Sequence, residues 1–181
     1  KKISELSSKK KTNVKDDKGN TYILDNFLYE IESKILKGKN VNIFVEVEDK
    51  KIKKINENKI DQYYFSEGFF NLGKQSFLAK KTEVKIHKSV FDDTNQDPRV
   101  YGATSSSNKE QTIINKGVFT SCKLNDTCPP WSISAKKITH DKIKENLIYK
   151  DALLKIYDVP IFYFPKFFHP DPSVKRRSGF L

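Results

Sequence analysis

The chain lacks methionine, carries one tryptophan and three histidines, and has two cysteines in 181 residues. Without Met at its start it does not open on a native initiator, and it is expected to be an excerpt of a longer protein. It has no run of about 18 apolar residues and no short apolar core behind a basic start, which excludes a membrane-spanning helix and a signal peptide from this stretch. The seven glycines are scattered, so no glycine-rich loop cradles a phosphate. His87, His140 and His169 stand without a G-x-S-x-G context, so neither His140-Asp141 nor His169 with Asp171 reads as catalytic. A turn role suits His140-Asp141 better, and no enzyme activity is expected. Cys122 and Cys128 are six apart beside Pro129-Pro130. With His140 and His169 they fit no standard zinc spacing, so no metal or other cofactor is expected. Free thiols, a local disulfide and a disulfide to a segment outside this chain all remain open for the pair.

What is present is charge and alternation. Only 36% of the residues are apolar while 31% are charged, a balance that suits a thin or open fold better than a thick core. The net charge of +11 admits nucleic acid, anionic lipid or a membrane surface as partners, although the abundance of Lys, Ile and Asn equally fits a compositional bias.

Residues 1–19 are rich in Lys, Ser and Asp and read as a flexible lead-in or an edge element. From Asn20 to Ser33 the chain alternates at strand period, with Thr21, Ile23, Asp25, Phe27, Tyr29 and Ile31 on one side. Lys37-Gly38-Lys39-Asn40 reads as a turn. Val41, Ile43, Val45 and Val47 then alternate with polar neighbours as a half-buried strand. Lys50 to Asp61 is a charged connection or a weak strand pair. About forty residues after Leu36-Lys37-Gly38-Lys39-Asn40-Val41 the pattern returns, one residue slipped, in Phe77-Leu78-Ala79-Lys80-Lys81 with Val84 and Ile86. A fainter copy is Ile133-Ser134-Ala135-Lys136-Lys137-Ile138. A hairpin-sized repeat of this kind predicts stacked β-hairpins. Residues 91–116 read as a loop with a short strand at Arg99-Val100-Tyr101, and 131–140 and 147–157 alternate again. The fold expected over 20–157 is all-β, an open jelly-roll or folded sheet with apolar residues inward. Alternation of this kind is common to a lipid trough and to a closed core.

The last stretch, 158–181, differs. Tyr157, Phe162, Tyr163, Phe164, Phe167 and Phe168 fall within twelve residues, punctuated by Pro160, Pro165, Pro170 and Pro172 and followed by Lys175-Arg176-Arg177. Proline removes a backbone donor, so this is neither a helix nor a regular central strand.

Three ordered blocks carry a family resemblance. Gly117-Val118-Phe119-Thr120-Ser121-Cys122 comes first. Pro129-Pro130-Trp131-Ser132-Ile133 and Ile138-Thr139-His140-Asp141 follow. V-P-I-F-Y-F-P from Val159 and H-P-D-P-S-V-K-R-R-S-G-F-L from His169 close the chain. In this order and spacing they resemble the LptD (OstA) family of lipopolysaccharide-assembly outer-membrane proteins, at the junction of periplasmic domain and barrel. The likeness is good over 117–181, repeat-like over 20–90 and absent from 1–18.

The resemblance implies a V-shaped periplasmic β-jelly-roll at the periplasmic face of a Gram-negative outer membrane. It implies a non-enzymatic module that takes lipopolysaccharide from a periplasmic β-jelly-roll bridge protein and passes it to its own barrel, with an outer-membrane lipoprotein plug as a further partner. Phe27, Tyr29, Ile31, Val41, Ile43, Val45, Val84 and Ile86 would then face lipid. Pro165 and Pro170 would lie at a weakly zipped seam where the chain enters the barrel, with Lys175, Arg176 and Arg177 near the membrane surface. Cys122 matches the family's periplasmic cysteine, which pairs with cysteines at the far end of the barrel, and Cys128 departs from the simplest pattern. A soluble periplasmic bridge protein is the alternative within the same β-type. A basic nucleic-acid-binding β-domain is the alternative from another class. It is disfavoured because the aromatics cluster among prolines rather than between lysines, so no nucleic-acid partner is expected.

Overall fold

A computed structural model describes residues 4–15, 19–46, 60–87, 96–124 and 130–170. The described residues form twelve strands and no helix: β1 (Glu5–Ser8), β2 (Thr12–Lys15), β3 (Thr21–Leu24), β4 (Asn26–Glu30), β5 (Ile35–Glu46), β6 (Ile60–Asn71), β7 (Ser76–Lys85), β8 (Arg99–Ser107), β9 (Gln111–Thr120), β10 (Trp131–Asp141), β11 (Asn146–Ile156) and β12 (Val159–Pro170). They make one antiparallel sheet. From β5 to β12 each strand pairs with its neighbour in sequence, while β3 and β4 both pair with β5, and β1 and β2 border them. This is the all-β, open, folded sheet expected from the alternation. The described part of the lead-in, β1 and β2, is its first edge.

A crease crosses the long strands and shapes the whole sheet. On β5 the inward residues are Leu36 and Gly38, then Val41 and Ile43, so two consecutive residues, Lys39 and Asn40, point outward. The same inversion follows Ala79 on β7, Ile114 on β9, Ala135 on β10 and Tyr149 on β11. Asn40, Lys81, Lys116 and Asp151 hold left-handed backbone at this line, with φ of 47°, 46°, 49° and 51°. The ladders keep their register on both sides and skip the pairs 40/66, 66/81, 116/136 and 136/151. The bend is sharp. Phe65 and Phe70 lie five residues apart on β6, which would separate them by roughly 16 Å on a straight strand. Their ring centroids are 5.7 Å apart, and Phe77 lies 5.3 Å from Phe65.

The crease divides the sheet into two arms that pack on each other. Tight turns join the strands at the end of one arm. Asn71 Oδ1 accepts the Lys74 N–H at 2.8 Å, Asn108 Oδ1 accepts those of Glu110 and Gln111, and Asp141 Oδ1 accepts those of Ile143 and Lys144. These are side-chain-closed turns, and the one at His140-Asp141 was legible in the sequence. The second arm ends in the longer connections and in the Tyr157-Asp158 turn. Between the arms lie two apolar clusters. Leu24, Val41, Phe65, Phe70 and Ala79 form one, and Ile114, Phe119, Ala135, Ile138, Tyr149 and Ala152 the other. A small polar bridge separates them, Thr82 Oγ1 to Ser105 Oγ at 2.6 Å, buried.

Three expectations are corrected. Lys37-Gly38-Lys39-Asn40 is not a turn but the crease of β5, because Gly and left-handed Asn serve a fold line as well as a reversal. Residues 91–116 are not mainly loop. From Arg99 they form β8 and most of β9, where the Ser105 hydroxyl pairs with that of Thr82 and the Ser107 hydroxyl with that of Thr112 across strands, while Thr104 stays exposed. The single face drawn through 21–31 is broken at Asp25, so that Tyr22 and Leu24 pack with Phe27.

Candidate functional site

The inner surface between the arms is built from the crease outward. Next to the crease the side chains are fully enclosed: Val41, Thr82 and Ala152 on one arm, Ala79, Ile138 and Tyr149 on the other. Burying a large apolar side chain of this kind contributes about 1.5–3 kcal/mol. Farther out the enclosure falls. Val45, Val84 and Ile86 are half-buried, as are Phe77 and Leu147 on the facing arm, and Ile156 is 45% exposed. The arms thus close at the crease and open toward both ends, the section of a V.

Against this section the expected lipid-facing residues divide. Val41 sits in the apex and is 1% exposed, with Phe27 and Ile43 packed against its cluster. Tyr29, Val45, Val84 and Ile86 occupy the wider, half-buried part. Ile31 lies in the β4–β5 turn, is 37% exposed and donates its N–H to the Ser4 carbonyl at 3.0 Å. The residues that line the wide part therefore come from the ends of strands. Tyr63, Leu154 and Leu147 share that depth and were not among the expected set. Their signal was the doubled polar pair that marks each crease, after which inward positions change parity. Near one end Asp61 accepts the His87 N–H at 2.8 Å. Burial raises its carboxyl above the ordinary aspartate value, against the opposing pull of that N–H and of His87. A separate open depression of about 630 Å3 lies on the outer face, between Leu28, Phe69 and Leu78, where the Lys37 ammonium stands 5.7 Å from the Phe69 ring centre.

Cys122 lies just past β9 in a fixed setting. The Arg99 guanidinium, in a residue that is 5% exposed, donates to the carbonyls of Asp97 and Cys122. Thr120 Oγ1 accepts the Cys122 N–H at 3.2 Å and donates to the Trp131 carbonyl at 2.7 Å. The Cys122 thiol is free and half-buried, 3.6 Å from the same carbonyl. Cys128 lies outside the described residues, as do Lys175, Arg176 and Arg177.

The second edge of the sheet is β12, which pairs with β11 alone. Its prolines are tolerated there because an edge strand offers no ladder on its outer side. Pro165 stands opposite Asp151 at the crease, and Pro170 pairs with Asn146 at the strand end. The strand is pinned by Tyr149, whose hydroxyl lies 3.1 Å from His169 Nε2 while its ring stacks on that imidazole at 5.5 Å. His169 Nδ1 lies 2.7 Å from the Pro170 carbonyl. That geometry makes Nδ1 the donor and leaves Nε2 to accept from the Tyr149 hydroxyl, which burial holds in its neutral form.

Among the described residues no cluster of His, Cys, Asp and Glu could hold a metal ion, and no helix is long and apolar enough to cross a membrane. No family model matches the chain. Curated relatives do. Seventy residues are 40% identical to the LPS-assembly protein LptD of Yersinia pestis, a match covering 39% of this chain and 9% of that protein. The LptD of Sodalis glossinidius is 39% identical over 70 residues, and that of Escherichia coli K12 is 42% identical over 71 residues, 8% of its length. The chain thus spans only a small part of the proteins it resembles.

Proposed function

The chain is a relative of the LPS-assembly protein LptD, and we propose from that kinship that it forms the periplasmic sheet through which lipopolysaccharide reaches an outer-membrane barrel. The observation that carries this reading is the V section: an apolar interior that is closed at the crease, widens toward its ends and runs the length of a sheet with two open edges. An acyl chain gains about 0.8 kcal/mol for each methylene buried, and the half-buried Tyr29, Val45, Val84 and Ile86 offer such surface without first dismantling the core around Val41. The first edge, β1 and β2, presents unpaired backbone to which a periplasmic bridge protein of similar β-type adds a strand. The second, β12, leads on toward the barrel. Cys122, held by Arg99 and Thr120, is positioned to form a disulfide with a cysteine elsewhere in the longer protein. A lipoprotein plug belongs to the barrel side of this assembly.

The test is site-specific photo-crosslinking with lipopolysaccharide, the reactive residue placed at Val45 or at its exposed neighbour Glu46. Crosslinks at Val45 and not at Glu46 are expected. In a folded protein, absence of lipid at both sites would make the interior a plain core and remove the transport reading.

A further inference from the structure

The crease has an outer surface as well as an inner one. Its outward residues form a row across eight strands, paired neighbour to neighbour: Lys39, Glu67, Lys80, Thr104, Asn115, Lys137, Lys150 and Lys166. The two halves of that row differ. At the β5 end Lys39 and Lys80 flank Glu67, and Lys80 Nζ lies 2.9 Å from Glu67 Oε2, which holds that carboxyl below its ordinary range. At the β12 end three lysines stand directly opposite one another on β10, β11 and β12, with Lys116 and Lys136 beside them. None of these five makes an ion pair with a described residue, whereas Lys37, Lys80 and Lys85 do. Asp151, the one acid among them, accepts the Tyr163 hydroxyl at 2.9 Å.

Like charges opposed across strands destabilise a sheet. Two such pairs in succession make a surface whose charge is met from outside. The character of the partner follows from the neighbours. On the outer face of β12, Lys166 lies between Tyr163, 57% exposed, and Phe168, 52% exposed. Lysines at strand spacing of about 4.8 Å reach farther than one phosphate. Joined to exposed aromatics, they have the two characters of a membrane interface, where ammonium groups meet phosphates and rings enter the headgroup layer.

We propose that the outer crease at the β12 end, centred on Lys137, Lys150 and Lys166, docks on the surface of an anionic phospholipid bilayer. This site is on the opposite face of the sheet from the apolar interior and does not depend on the transport reading.

The test is flotation of the 181-residue chain with phosphatidylcholine vesicles, with and without phosphatidylglycerol as about a third of the lipid. Binding is expected to the anionic vesicles alone and to weaken with salt. Neutralising three surface lysines in K137Q/K150Q/K166Q is expected to lower partitioning about a hundredfold. K37Q/K39Q/K80Q removes the same net charge at the other end of the row and is expected to change it less than about threefold. Circular dichroism of each variant should show an intact sheet, with K150Q/K166Q standing in if the triple variant does not fold. Equal losses in the two triples, or none in the first, would overturn the proposal. So would tighter binding of a DNA duplex than of vesicles through the same lysines, which would give the row to nucleic acid.

Discussion

Replacing Gly68 by alanine tests the crease at one of its tightest described points. Gly68 lies on β6 two residues before Phe70, and a β-carbon there would stand 2.2 Å from Phe70 Cε2 and 2.4 Å from Cζ. A ring can normally move away from a methyl group. This one cannot move freely, because Phe70 is 8% exposed and its centroid is held 5.7 Å from Phe65 and 5.8 Å from Phe77. All three rings must shift, across both arms. Overpacking of that kind costs about 1–3 kcal/mol. In a chain of 181 residues each kcal/mol lowers Tm by about 2–4 °C, so a fall of about 2–12 °C is expected for Gly68→Ala. The assay is thermal unfolding followed by circular dichroism, run as a double-mutant cycle with Phe70→Leu. The shorter leucine side chain vacates the space, so Gly68→Ala should cost clearly less when Phe70→Leu is already in place. A Tm unchanged by Gly68→Ala, or an equal loss in both backgrounds, would mean that the arms do not close on these rings.

Burial raises the Asp61 carboxyl above the ordinary aspartate value, so folding disfavours its ionised form. The stability that the protonated form permits is complete below the unfolded value and is lost as pH rises through the folded one. Asp61→Asn keeps an acceptor for the His87 N–H, and should therefore raise Tm at neutral pH while the difference vanishes near about pH 3, as thermal melts across that range will show; a gain that persists in acid would contradict the cause. Arg99→Lys removes the guanidinium Nη1 that donates to the carbonyls of both Asp97 and Cys122, at a cost of about 1–3 kcal/mol. In a Cys128→Ser background it should also quicken the reaction of Cys122 with a thiol reagent; unchanged reactivity would mean that Arg99 does not set the thiol's position.

How much of this was legible varies by element. Strand period exposed β5, β7, β10 and β11 because their apolar residues alternate on each side of the crease. It missed most of β8 and β9, where Thr104, Ser105, Ser106 and Ser107 carry no apolar signal and Ser105 is buried by pairing with Thr82. Composition rules give such a run to a loop, because they weigh each side chain against water and not against a hydroxyl across the ladder. The residues expected to face lipid do not lie at one depth: Val41 and Val45 share a face, yet one lies at the apex and the other in the wide part. Distance from the crease decides that, and distance from a line defined by many strands is not a local property.

The crease also explains the repeat that the sequence displayed. Gly38-Lys39-Asn40-Val41, Ala79-Lys80-Lys81-Thr82, Ala135-Lys136-Lys137-Ile138 and Tyr149-Lys150-Asp151-Ala152 have one design: inward, outward, outward, inward. A strand with strict alternation can put only one face on a core. Two outward residues in succession exchange the faces, so both arms turn the same surface inward and the strand folds on itself. Repeating the device at the same register in neighbouring strands aligns the bends into a line, and each added hairpin lengthens the V instead of closing it. In the structure the first two copies are in step from turn to crease: the left-handed turn residues Lys34, Gln75 and Glu145 each precede the left-handed residue of their strand's outward pair, Asn40, Lys81 and Asp151, by the same distance. The same pair requires two adjacent solvent-facing positions on each strand, which is why lysine gathers there. Lining the inner apex and exposing the outer ridge are therefore one constraint on the sequence, met by a charged residue in the strands the crease crosses other than β8, whose outward pair is Ala103-Thr104.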